Sequence, residues 1–116
     1  MDTVSNYTET LEKTVRDLLE RQDDLIRTAF TDQLTGLGNR GGFARSLEEL
    51  WEQDAPVTMA FIDIDNLKHC NDVFGHDEGN RYILQVSLYL KLYMKADEAA
   101  FRIGGDEFAI LDRKST

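Results

Sequence analysis

The sequence predicts a mixed α/β (α+β) domain preceded by a long coiled-coil helix. Three observations carry that expectation. Residues 3–31 contain neither Gly nor Pro, and Val4, Leu11, Leu18 and Leu25 recur every seven residues. The run VTMAFIDI at 57–64 is apolar and too short for a long helix, which is the pattern of a strand buried on both faces. Two further short apolar runs, 99–103 and 108–111, flank Gly104-Gly105-Asp106-Glu107 as the strands of a hairpin flank its turn.

With Val4, Leu11, Leu18 and Leu25 at d of a heptad, the a positions are Thr8, Val15, Gln22 and Ala29. Half of that series is polar, so the stripe is narrow. Leu at d suits a parallel two-stranded coiled coil, and no other element is close enough in sequence to cover the seam. A homodimer through this helix is therefore expected in preference to a solvated helix lying on its own domain. Gln22 at a lowers stability while favouring one register, and so marginal a helix could relay a signal.

The segment TDQLTGLGNRGGF then breaks the helix with four glycines and offers Thr31 or Asp32 as a cap. Residues 41–53 resume helical spacing through Phe43, Leu47, Leu50 and Trp51, until Ala55-Pro56 stops them. Beyond the strand at 57–64, residues 65–75 read as irregular or briefly helical. Residues 78–95 form a second long amphipathic helix, with Tyr82, Ile83, Val86, Leu90 and Tyr93 at helical spacing. The hairpin glycines are able to take the positive φ of a tight turn. The chain divides into a signalling and dimerisation helix at 1–31 and an α/β unit at 32–116.

Composition narrows the function. The chain has 116 residues, with 13 Lys plus Arg against 22 Asp plus Glu and a net charge of −9. That balance disfavours a scanner of nucleic-acid polymer or a protein held on anionic lipid, since both need clustered positive charge. Single nucleotides stay possible because a metal ion offsets local negative charge. The one cysteine, Cys70, excludes an intramolecular disulfide framework, and no Cys/His cluster at ligand spacing suggests structural zinc. A cytoplasmic location is expected. The polar start MDTVSNYTET and the lack of a sufficiently long apolar run predict neither a signal peptide nor a membrane segment.

Two acidic clusters carry the chemistry. Asp63-Ile64-Asp65 ends the apolar strand, and Asp106-Glu107 sits at the hairpin tip. Either alone has an ordinary explanation, since strands running into loops often end in Asp and turns attract acids. In a β-α-β-β order of ferredoxin-like type, however, the third strand inserts beside the first and brings the tip to the end of the Asp63 strand. Converging carboxylates repel one another, and Mg²⁺ or Mn²⁺ suits such hard oxygen ligands. Between the clusters, backbone N–H groups in a tight turn after the strand can cradle phosphates, and the Asn71 amide can read a base edge. His76, between Gly75 and Asp77, reads as structural rather than as a catalytic base. Cys70 reads as a small buried residue rather than a nucleophile.

These residues carry a resemblance. Arg102-Ile103-Gly104-Gly105-Asp106-Glu107-Phe108, with Asp63-Ile64-Asp65, Lys68, Asn71-Asp72 and Gly75-His76-x-x-Gly79 upstream, resembles the GGDEF domain of diguanylate cyclases. Asp32-Gln33-Leu34-Thr35-Gly36-Leu37-Gly38-Asn39-Arg40 is similar to the motif that opens that domain, and the likeness runs from Asp32 to about Asp112. It implies a nucleotidyl-cyclase palm that condenses two GTP into cyclic di-GMP, with two domains facing each other across the product. Carried over, it implies that Asp63 and Asp106 ligate the metal together with the Ile64 carbonyl. Glu107 would stand at the same centre, assisting deprotonation. Gly104 and Gly105 would allow close approach of the nucleotide. The turn at Asn66, Leu67 and Lys68 would hold the β and γ phosphates, and Asn71 would contact guanine.

The sequence departs from that pattern in three places. Asn80 stands where the family usually has an Asp that accepts two hydrogen bonds from guanine, so selectivity for GTP over ATP should fall. Lys95-Ala96-Asp97-Glu98 stands in the register of the inhibitory R-x-x-D product site, and Lys does not reproduce the planar fork of Arg. Strong feedback inhibition is not expected. The family's domain also continues beyond the hairpin, so the resemblance implies a C-terminally truncated domain. Its 57–64 strand becomes an exposed edge prone to pairing with another chain, and its triphosphate pocket is incomplete. Arg113 and Lys114 are not assigned the absent contacts. Two readings follow: a diguanylate cyclase acting as a dimer, and a truncated, catalytically silent GGDEF protein that binds nucleotide or serves as a dimerisation module.

Overall fold

The computed structural model describes residues 3–54 and 56–113. Helix α1 (Thr3–Phe30) has 28 residues, which at about 1.5 Å per residue makes it roughly 42 Å long. None of its residues is buried. It does not lie on the domain, and Val4, Leu11, Leu18 and Leu25 are all exposed, Leu25 by 71%. At the polar a position Thr8, the hydroxyl donates to the Val4 carbonyl at 3.0 Å, so that side chain is satisfied within its own helix.

The connector after α1 is built differently from the expectation. Neither Thr31 nor Asp32 caps a helix. Asn39 is the N-cap of α2 (Arg40–Glu52): its Oδ1 accepts from the Gly42 N–H at 2.9 Å while its Nδ2 donates to the Ala29 carbonyl at 2.9 Å. One side chain thus caps α2 and satisfies a terminal carbonyl of α1. The Asp32 carboxylate instead accepts from the Thr35 N–H and hydroxyl at 2.9 and 2.7 Å, closing a tight turn. A methyl group at Gly42 would lie 2.6 Å from the Phe30 carbonyl, so α2 meets the end of α1 in backbone contact. Helix α2 ends at Glu52. Of the expected stop signal Ala55-Pro56, Ala55 lies outside the described residues, as does Lys114.

The remaining elements are β1 (Thr58–Asp63), α3 (Leu67–Phe74), α4 (His76–Tyr93), β2 (Glu98–Arg102) and β3 (Glu107–Asp112). All strand pairs are antiparallel, in the order β1-β3-β2, so β3 does insert beside β1. Being central, β3 is the apolar spine, with Phe108, Ala109 and Leu111 fully buried. Phe108 packs with Leu37, Ile64, Leu67 and Ile83. Leu111 packs on the opposite face with Leu50 and Phe101, against Phe43 and Leu47 of α2. This is the alternation a strand imposes.

Two local expectations are corrected, at β1 and at the hairpin glycines, and of the two readings for residues 65–75 the brief helix is the one observed. Strand β1 is not buried on both faces: five of its six residues are exposed. Among the described residues it pairs only with β3; Ile62 packs against the core on one face, while on the other Phe61 meets the Phe43 ring at 6.0 Å between centroids and still stays 63% exposed. The stretch after β1 is a true eight-residue helix, separated from α4 by Gly75 at φ +91°. Gly104 and Gly105 do not take left-handed φ values; the glycines that do are Gly36 and Gly75.

Candidate active site at the sheet edge

The β1–β3 pairing sets the geometry. Asp63 is the cross-strand partner of Glu107, and the Ile64 N–H donates to the Asp106 carbonyl at 2.8 Å. The hairpin closes on itself through the Ile103 and Gly104 N–H groups, which both donate to the Glu107 carbonyl, at 2.9 and 3.3 Å. Asp63, Asp106 and Glu107 are all exposed. Like charges directly opposite one another on a sheet are locally destabilising, so Asp63 against Glu107 is an arrangement a cation relieves.

Among the described residues, no three His, Cys, Asp or Glu side chains gather as a ready cation cage. The expected convergence therefore holds for the backbone segments but not as a preformed cluster of carboxylates. The residues still fit a magnesium-type ion. Mg²⁺ is usually held by one or two carboxylates together with waters and substrate phosphates rather than by an all-protein cage. At Gly105 a Cβ would meet nothing within 4 Å, so the backbone of the tip faces open space.

Beyond β1, Asn66 takes a left-handed conformation at φ +62°. The Leu67 side chain is buried in the core, which leaves its backbone as the group able to meet a phosphate, while Lys68 is exposed. The half-buried Asn71 side chain lies over Gly79: a Cβ there would fall 1.7 Å from Asn71 Oδ1. Asn80, the next residue of α4, is exposed. Asn71 and Asn80 thus share the elbow between α3 and α4. Cys70 is half-buried rather than buried, and His76 is exposed as the first residue of α4. At the entrance to β2 the Lys95 carbonyl accepts from the Glu98 N–H at 3.0 Å, so the expected product-site register folds as a tight turn.

Residue types and spacing alone do not connect Arg102 with Asp32. Arg102 Nη1 lies 3.2 Å from Asp32 Oδ1, and both side chains are less than one-fifth exposed. The residues are 70 positions apart, and no periodicity reports a pair so distant. Lys91 belongs with them: its ammonium donates to the carbonyl of the buried Thr35 and so fastens α4 to the connector.

The family model described as diguanylate cyclase, GGDEF domain, matches residues 29–116. The chain belongs to the GGDEF-domain family. It is 38% identical over 104 residues to the diguanylate cyclase DgcP of Escherichia coli K12, covering 86% of this chain and 30% of DgcP. To DgcN of the same organism it is 39% identical over 97 residues, covering 81% of this chain and 24% of DgcN. The chain thus spans less than a third of the length of either relative. Among solved structures it is similar to the coiled coil and GGDEF domain of DgcB from Caulobacter crescentus in complex with c-di-GMP. The TM-score is 0.87 at 28% identity, covering 99% of this chain and 63% of that one. The three-stranded antiparallel sheet belongs to a fold shared with that GGDEF domain, and GGDEF diguanylate cyclases generally use a divalent metal. Among the described residues, no helix is long and apolar enough to cross a membrane.

Proposed function

We propose that this GGDEF protein binds GTP with Mg²⁺ or Mn²⁺ at the β1–β3 edge and, as a dimer paired through α1, condenses two GTP into cyclic di-GMP. The observation that carries the reading is the juxtaposition of Asp63 with Glu107, locked by the Ile64 N–H to the Asp106 carbonyl. Asp63, Asp106, Glu107 and the Ile64 carbonyl would hold the cation. When bound, it would polarise the α-phosphate and neutralise the leaving pyrophosphate.

The chain's own groups do the rest. The turn at Asn66, Leu67 and Lys68 holds the β and γ phosphates, Lys68 supplying positive charge. Asn71 and Asn80 at the helix elbow read the guanine edge, and Gly104 and Gly105 admit the nucleotide close to the backbone. Glu107 accepts the proton of the 3′-hydroxyl as that oxygen bonds to the α-phosphorus of the other GTP and pyrophosphate departs. The division into a dimerisation helix at 1–31 and a partial catalytic domain at 32–116 belongs to the same proposal.

Asn80 favours a second reading. An amide offers guanine one acceptor where the family's usual carboxylate offers two, so nucleotide would be bound less tightly and turned over poorly, leaving a binding or dimerisation module. Incubation with GTP and Mg²⁺ or Mn²⁺, with chromatography of the product and calorimetry of GTP binding, separates the two. Cyclic di-GMP formation abolished in Asp63→Ala supports the cyclase, and Asp63-dependent binding without product supports the module. Turnover undiminished in Asp63→Ala overturns the assigned site.

A further inference from the structure

We propose that Arg102 is a positioning residue for the Asp106-Glu107 tip, held in register by Asp32 at the exit of α1; this rests on the tip being the cation-binding end of the site. Arg102 ends β2, and its guanidinium spans two segments. Nη1 lies 3.2 and 3.4 Å from the two Asp32 carboxylate oxygens, and Nη2 donates to the Gly105 carbonyl at 3.0 Å. The Arg102 backbone N–H donates to the Gly38 carbonyl at 2.8 Å, so main chain and side chain both tie β2 to the connector.

The Gly105 carbonyl is the informative acceptor. It belongs to the peptide plane that carries the Asp106 nitrogen, so fixing it orients the backbone from which Asp106 projects. Little else restrains that plane, because a Cβ at Gly105 would meet nothing within 4 Å. Only a planar fork serves both acceptors at once; an ammonium is a point charge on a flexible stem. Arg102 Nε is buried with no hydrogen-bond partner among the described residues, as expected when the two Nη contacts, and not Nε, set the orientation of the group.

Asp32 is itself fixed. Its carboxylate accepts from the Thr35 N–H and hydroxyl, and its N–H donates to the Leu37 carbonyl at 2.7 Å. With side-chain exposures of 17% and 18%, the pair is only weakly screened by salt. The position of the tip is therefore referenced to the connector leaving α1, and a displacement of that connector reaches the tip through the main chain and the guanidinium of one residue, Arg102.

NMR-detected hydrogen exchange on the full chain, without ligand, tests this at the Ile64, Ile103 and Gly104 amides, whose hydrogen bonds close the tip. Arg102→Met should speed their exchange at least tenfold while Ala109 and Leu111 in central β3 stay within twofold. Arg102→Lys keeps the charge opposite Asp32 but loses the fork, so it should show the same pattern and decides the matter if Arg102→Met does not fold. Exchange at the tip within twofold of wild type in the folded variant overturns the proposal. Calorimetry of Mg²⁺·GTP binding separates the two claims. At least fivefold weakening in Arg102→Lys is expected, and unchanged affinity there alongside weakened binding in Asp63→Ala overturns the positioning role. Unchanged affinity in Asp63→Ala overturns the reading of the site instead.

Discussion

Two glycines give opposite signs for the same substitution. At Gly79 the nearest atoms to an added methyl are those of the Asn71 side-chain amide, which can swing aside, and Ala is the better helix former by about 1 kcal/mol. Gly79→Ala should therefore raise the urea midpoint slightly. If Asn71 reads guanine, the same change should weaken GTP binding about fivefold in calorimetry, the loss of roughly one hydrogen bond. At Gly42 the methyl meets the Phe30 backbone carbonyl at 2.6 Å, and that oxygen already accepts from the Asn39 N–H at 3.0 Å. Backbone at the junction of two helices has no rotamer to escape into. Gly42→Ala should lower stability by about 1–3 kcal/mol in urea unfolding, as overpacking does.

At the scale of elements, the informative strand is β1. Met59 and Phe61 are 44% and 63% exposed, and an uncovered apolar edge invites pairing with another chain. Met59→Lys should reduce concentration-dependent association in sedimentation velocity while leaving the thermal midpoint within a few degrees, because Met59 lies outside both core clusters. The extended character of β1 and its adjacency to β3 were legible from apolar length and from the strand-helix-strand-strand order. Its exposure was legible only through the family resemblance, since a continuous apolar run looks the same whether or not a neighbour covers it. The Asn39 cap was missed although Asn followed by a helix is a recognised start signal, because Thr31 and Asp32 competed for the role nearer the end of α1. Of the candidate site, Asp63, Asp106 and Glu107 stood out as acids beside apolar runs. The Arg102–Asp32 contact depends on a fold-level approach that local spacing does not encode.

For the molecule as a whole, the decisive feature is that α1 leaves its apolar seam uncovered within a structure whose longest dimension is 67 Å. A cyclic dinucleotide made from two GTP needs two sites that face each other, since each nucleotide supplies one attacking hydroxyl and one α-phosphate. In the proposed dimer, two copies joined along α1 would convert that meeting from a bimolecular event to one governed by effective concentration. Leu18 tests this because it is near the middle of the seam, at d, and 57% exposed in the single chain. Replacing it by Glu would bury a charge in the dimer while costing the single chain little, since the side chain there faces water. Sedimentation equilibrium of Leu18→Glu should show the dimer dissociation constant raised at least tenfold, or about 1.4 kcal/mol. GTP binding per chain should be retained, whereas product formation should fall with the dimer population and recover as protein concentration is raised. A variant that stays dimeric places the self-association elsewhere, with the β1 edge as the next surface to disrupt.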